Sequence, residues 1–200
     1  MSSSILIVGA GELGTAVMEG FSQHPAPGQH KYNTSIINIA VMLRPESIDN
    51  ANPAKQESNL YLSSLGAELI PGNFVEDAVS ELAKSFERFD IVIQAGGYGL
   101  PAGTQLKSAQ AALQAGVKHY FPWQFGMDYE AIGKGSSQEL FDEMLEVRSL
   151  LRTQSKVGWT IISTGLFMSY LFLKDFQVVN FANKTIHALG NLENAITVSK

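Results

Sequence analysis

Three glycines, Gly9, Gly11 and Gly14, stand at G-x-G-x-x-G spacing in "SILIVGAGELGTAVMEGF", after an apolar run and before a helix-period pattern. Each has a physical role in that context. The first permits a tight turn, the second lets backbone approach a diphosphate, and the third lets helix and strand pack closely. Unpaired N–H groups at the helix start, from Glu12 and Leu13 onward, then face the anion with the helix dipole behind them. A turn needed only for packing would also use glycine. Strand, helix and the β-α rhythm around them favour dinucleotide binding.

The second strand decides which dinucleotide. NAD sites carry an acid at its end to bind the ribose 2′-hydroxyl. Here "INIAVMLRPES" ends in Arg44 with no acid before it. A guanidinium can pair with a 2′-phosphate that a carboxylate would repel, so NADPH is expected over NADH. The competing reading of Arg44 is a solvated loop arginine. Gly96 and Gly97 end "DIVIQAGGYGLP", where strand ends line the crevice of a doubly wound sheet. Small residues there would let the cofactor lie against backbone, although a plain glycine loop would look the same.

Other chemistries find little support. There are no cysteines, and His24, His30, His119 and His187 have no ligand spacing, so no metal site is expected. Asp128 and Glu130 lack a partner that would suggest glycosidase geometry, and no serine sits in a nucleophile elbow. A net charge of -5 offers no basic field for nucleic acid. The longest late apolar run, "TIISTGLFMSYLFL", falls short of a membrane span, and no secretory signal is visible. A cytoplasmic protein is expected.

These residues need a scaffold, and the 200-residue chain alternates apolar runs with helix-period stretches. Strands are expected at Ser4–Val8, Ile36–Leu43, Ala67–Ile70, Asp90–Ala95, Val117–Pro122 and Trp159–Ser163. Helices are expected at Glu12–Ser22, Asp77–Phe86, Thr104–Ala115 and Ser136–Thr153, the last opened by a Ser136/Glu139 capping box. This pattern predicts an α/β, Rossmann-type, doubly wound parallel sheet covered on both faces. "HPAPGQHKYNTS" reads as a long loop, and "TIHALGNLENAITV" as a hairpin turning at Gly190-Asn191.

The stretch "AALQAGVKHYFPWQFGMDYEAIGKGSSQELFDEMLEVRSLLR" resembles the NmrA-like, isoflavone-reductase-like branch of the atypical short-chain dehydrogenases. That branch includes phenylcoumaran benzylic ether reductases, and the chain looks most like its fungal members. The likeness runs from "LIVGAGELG" to "STGLF". It implies an NADPH-binding Rossmann domain over residues 1–158 and, from 159 to 200, the last sheet strand plus the start of a substrate region. That region is short, as in a naturally shortened protein or a fragment. The family's Pro-Ser-Glu-Phe-Gly falls on Pro122, Trp123, Gln124, Phe125 and Gly126. By analogy Pro122 and Phe125 lie beside the nicotinamide, and Trp123 and Gln124, with Phe167, contact substrate. The plant enzymes' proposed acid–base lysine falls on Met144, four before Arg148, where no proton can be transferred. The catalytic residue is therefore unassigned, with Tyr129 and Lys134 as candidate donors.

Tyr170 and Lys174 spell the Tyr-x-x-x-Lys of ordinary short-chain dehydrogenases, but after the sixth strand instead of the fifth. An interfacial aromatic beside a surface lysine is the better reading. The resemblance implies an NADPH-dependent reductase of a small, aromatic substrate. The alternative it leaves open is an NmrA-like dinucleotide sensor that binds NADP(H) without turnover and acts through a regulatory protein partner.

Overall fold

In β1 (Ser4–Val8) the side chains of Ile5 and Ile7 point to one face of a sheet and those of Leu6 and Val8 to the other. All four are buried, as a strand covered on both sides requires. The computed structural model describes residues 3–23, 38–176, 178–187 and 198–199. Along them follow α1 (Glu12–Gln23), β2 (Asn38–Leu43), α2 (Pro45–Ile48), α3 (Pro53–Ser64), β3 (Glu68–Pro71), α4 (Val79–Phe86) and β4 (Ile91–Gln94). The second half carries α5 (Thr104–Ala115), β5 (His119–Phe121), α6 (Tyr129–Ile132), α7 (Glu139–Arg152) and β6 (Gly158–Trp159).

Six strands pair in parallel in the order β3-β2-β1-β4-β5-β6. The expected doubly wound sheet is present, and its order reverses between β1 and β4, which pair from Ile5↔Ile91 to Val8↔Gln94. A crevice opens beyond the carboxyl ends of strands at such a reversal. Leu6, Val8, Val92, Phe86 and Leu151 fill one core layer; Ile5, Ile7, Met18, Val41 and Leu62 fill the other. Glu143 ties the second half together. This buried α7 carboxylate accepts the Gln105 and Leu106 amides at 2.7 and 3.0 Å, capping α5 from a distance.

The sequence reading needs several corrections. It contains no helix at α3, whose only buried residue is Leu62, so no apolar stripe announces it. The signal was at its start, where Asn52 accepts the Ala54 amide and Pro53 occupies the first turn. Ser136 does not cap α7; its hydroxyl turns on Gln138, and the helix begins at Glu139. The last sheet strand is Gly158–Trp159, with Trp159–Ser163 leaving the sheet almost at once.

Beyond it come β7 (Leu166–Phe167), a 3-10 helix at Met168–Phe172, β8 (Val179–Asn180), β9 (Thr185–Ile186) and β10 (Val198–Ser199). β9 pairs antiparallel with β8, and β10 pairs parallel with β7. The expected Gly190-Asn191 turn and the loop "HPAPGQHKYNTS" lie outside the described residues. No helix among the described residues is long and apolar enough to cross a membrane.

Candidate functional site

Gly9 turns the chain out of β1 with φ +93°, and a β-carbon there would lie 3.1 Å from the Gly96 backbone. A β-carbon at Gly14 would fall 2.0 Å from the Gly9 carbonyl oxygen, so α1 can pack against the turn only through glycine. Gly11 differs: no atom of the described residues lies within 4 Å of its β position. It borders a cavity of about 440 Å³ whose walls include Gly9, Met42, Arg44, Lys55 and Asn59. Glu12 and Leu13 open α1, whose first-turn amides have no partner within the helix.

Arg44 and Lys55 make the cavity's far wall cationic. Arg44 ends β2 and starts α2, its Nε 3.4 Å from Glu46 Oε1, and both side chains of that pair are more than half exposed. Lys55 belongs to the first turn of α3. Sequence reasoning passed over it, along with Ser58 of the same wall, because α3 itself was not recognised. A glycine turn with open space at Gly11, unpaired helix amides and two cations beyond β2 fits a phosphorylated dinucleotide.

A second cavity, about 310 Å³, lies on the other side of the turn, with Leu13 in its wall. Trp123, Phe125, Tyr129, Phe141, Phe167 and Tyr170 dominate it, and among the described residues no charged side chain lines it. Ring pairs stiffen the lining: Tyr129–Phe141 at 5.3 Å, Phe167–Tyr170 at 5.6 Å and Tyr170–Phe176 at 5.2 Å. The cavity thus gathers Trp123, Phe125 and Phe167 from three sequence positions.

Other expected residues sit elsewhere. Gly96 and Gly97 do not offer open backbone. A β-carbon at Gly96 would meet the Phe74 ring at 2.6 Å, and one at Gly97 would meet the Trp123 indole at 2.0 Å. Each glycine makes room for an aromatic side chain of this chain. Pro122 is buried and lines neither cavity. Gln124 is corrected too: it is fully buried, its Nε2 donating to the Met144 carbonyl at 2.9 Å and its Oε1 accepting from Arg148 Nε at 2.9 Å. The amide is spent on core contacts between β5 and α7, and Gln124 lines neither cavity.

Met144 is likewise fully buried and lines neither cavity. Lys134 is exposed and outside both, whereas Tyr129 lines the aromatic cavity. Tyr170 lines it as well, but Lys174 does not. Burial pushes the Tyr170 phenol up, assisted by Tyr98 and the Glu12 carboxylate, the latter held by the Ser169 hydroxyl at 2.8 Å. That environment opposes a tyrosinate at position 170.

Comparison with known proteins agrees with this geometry. The family model described as "NmrA-like family" matches residues 1–193. An "NmrA-like family domain-containing oxidoreductase" of Gibberella moniliformis is 49% identical over 199 residues, 100% of this chain and 63% of that protein. The crystal structure of an isoflavone reductase is 27% identical, with a TM-score of 0.66, over 86% of this chain and 52% of that one. A leucoanthocyanidin reductase–NADPH complex from Vitis vinifera shares the fold at 21% identity and TM-score 0.63, over 82% of this chain and 50% of that one. The chain thus spans less than two thirds of each of these relatives.

Proposed function

The chain belongs to the NmrA-like family, and from that premise we propose that it binds NADP(H) and reduces a small aromatic substrate. One observation carries the reading. The glycine turn separates a cavity walled by Arg44 and Lys55 from one walled by aromatic rings and, among the described residues, free of charge. The phosphorylated adenosine belongs with the cations, the diphosphate with the amides of Gly11, Glu12 and Leu13, and the nicotinamide with the rings around Phe125. That the same fold holds NADPH in the Vitis vinifera enzyme supports the assignment.

The reduced nicotinamide, when bound, supplies a hydride. Everything else falls to this chain. Phe125 and Trp123 hold the substrate ring by apolar contact, and the aromatic lining keeps water from the reacting atoms. Residues from 159 onward, with Phe167 and Tyr170, begin the substrate-binding region. A sensor that binds without turnover is the second reading, favoured by the buried Met144 at the position where the plant enzymes have lysine.

Titration of the purified chain with NADPH, followed by NADPH consumption on a panel of aromatic aldehydes, quinones and benzylic ethers, separates the two. Turnover of any aromatic compound supports the reductase. Tight binding with no turnover across the panel supports the sensor, and no binding removes both.

A further inference from the structure

We propose that Tyr129 is the proton donor of this site, its hydroxyl protonating the oxygen of an aromatic carbonyl compound lodged in the aromatic cavity. The inference rests on the reductase reading and supplies the acid that Met144 cannot. Among the described residues the cavity's walls offer six side chains with a transferable or donatable proton: Tyr98, Trp123, Tyr129, Gln138, Thr164 and Tyr170. Indole and amide N–H groups are far too weak as acids. Thr164 already donates its hydroxyl to the Phe125 carbonyl at 2.9 Å. Tyr98 is 75% exposed, so water competes for anything it holds.

The choice lies between two phenols, and charge decides it. Near Tyr170 stands the Glu12 carboxylate, which resists a second negative charge. Beside Tyr129 stands the Arg148 guanidinium, 5.4 Å from the ring centroid and itself buried. Arg148 is fixed there by its Nε donating to Gln124 Oε1 at 2.9 Å, and Asp128 and Glu130 lie 3.7 and 3.5 Å from its Nη1. Those two carboxylates are largely exposed, so the buried cation dominates at the ring. Burial pushes the Tyr129 phenol above its ordinary value, which keeps it protonated at neutral pH, while the backbone at Met127, Arg148 and the backbone at Gly126 pull the other way. A group so placed starts as an acid and has a cation waiting for its conjugate base.

The step balances. A carbonyl carbon receiving a hydride moves its C=O π pair onto oxygen. That oxygen takes the proton of Tyr129, so one O–H bond breaks as another forms. The tyrosinate beside Arg148 regains a proton from water, and the product is an alcohol. The carbonyl is reduced by two electrons, and the reduced dinucleotide of the proposed function is the species oxidised.

Tyr129→Phe keeps the ring over Arg148 and removes only the hydroxyl. On an aromatic aldehyde it should lower kcat by about 10²–10⁴ with NADPH affinity unchanged. A second readout needs neither turnover nor cofactor. Acetophenone binding, followed by tryptophan fluorescence, should weaken about 2- to 12-fold in Tyr129→Phe, with ethylbenzene unaffected. In the unmutated protein, the carbonyl stretch of bound acetophenone should move to lower frequency than in an apolar solvent. Unchanged kcat, equal acetophenone affinity in the variant, or an unshifted carbonyl stretch overturns the assignment. Failure of the unmutated chain to bind NADPH would sink the reductase reading instead, leaving the acetophenone results to judge Tyr129 as a donor.

Discussion

The indole of Trp123 rests on the α-carbon of Gly97, so closely that a β-carbon at 97 would fall 2.0 Å from the ring. Trp123 follows β5 and Gly97 follows β4, so the contact joins two strand ends across the crevice. It sets where one wall of the aromatic cavity stands. The glycine at 97 is thereby explained without reference to any ligand.

Gly97→Ala should therefore displace the indole. Overpacking of this kind costs about 1–3 kcal/mol, to be read from denaturant unfolding. Tryptophan emission should shift to the red as the ring is pushed toward solvent, and affinity for apolar aromatic ligands should fall. An unaltered emission spectrum would show that the ring is not held there.

Met144→Lys, which puts a lysine at the position the resemblance to the plant reductases implies for one, should give no gain in NADPH oxidation. The side chain at 144 is fully buried, and the nearby acceptor Gln124 Oε1 is already taken by Arg148. An unpaired ammonium in that position should destabilise the fold by about 2 kcal/mol or more. A stable variant with new turnover would contradict this placement of α7.

At the opposite end of the sheet, Lys118 and the Ser4 backbone amide hold the Asp90 carboxyl below the usual carboxylate range. A carboxyl depressed in the folded state binds protons more readily when unfolded. Its contribution to stability is therefore present above the unfolded pKa and lost as pH falls through the folded one. Asp90→Asn should flatten the acid limb of the stability–pH curve below about pH 4 and leave its shape at neutral pH unchanged. Thermal unfolding of both proteins between pH 2 and 7 checks this, the range spanning the ordinary carboxylate values.

Much of the scaffold was legible because strong local signals coincide with burial. Ile5–Val8 and Thr104–Ala115 are continuous or periodic in apolar residues, and β1 and α5 have the expected bounds. The helix α3 was hidden because its stability comes from a cap and one buried leucine, which leaves no periodicity to read. Lys55 was lost with it. The surroundings of Gln124 and Gly97 were not legible for a different reason: sequence places a residue beside a crevice but does not say which way a side chain turns or what covers a backbone. Gln124 turns inward because α7 offers it a carbonyl and a guanidinium. Gly97 is covered because its neighbour across the strands is an indole.

The central claim is that the cavity beyond β2 selects a phosphorylated dinucleotide through Arg44 and Lys55. Calorimetric titration of NADPH and NADH into the unmutated chain, Arg44→Ala and Lys55→Ala tests it most directly. The expected result is tighter binding of NADPH than NADH, with each substitution weakening NADPH by about tenfold or more and leaving NADH unaltered. Equal affinity for the two nucleotides in the unmutated chain, or no binding of either, would contradict it.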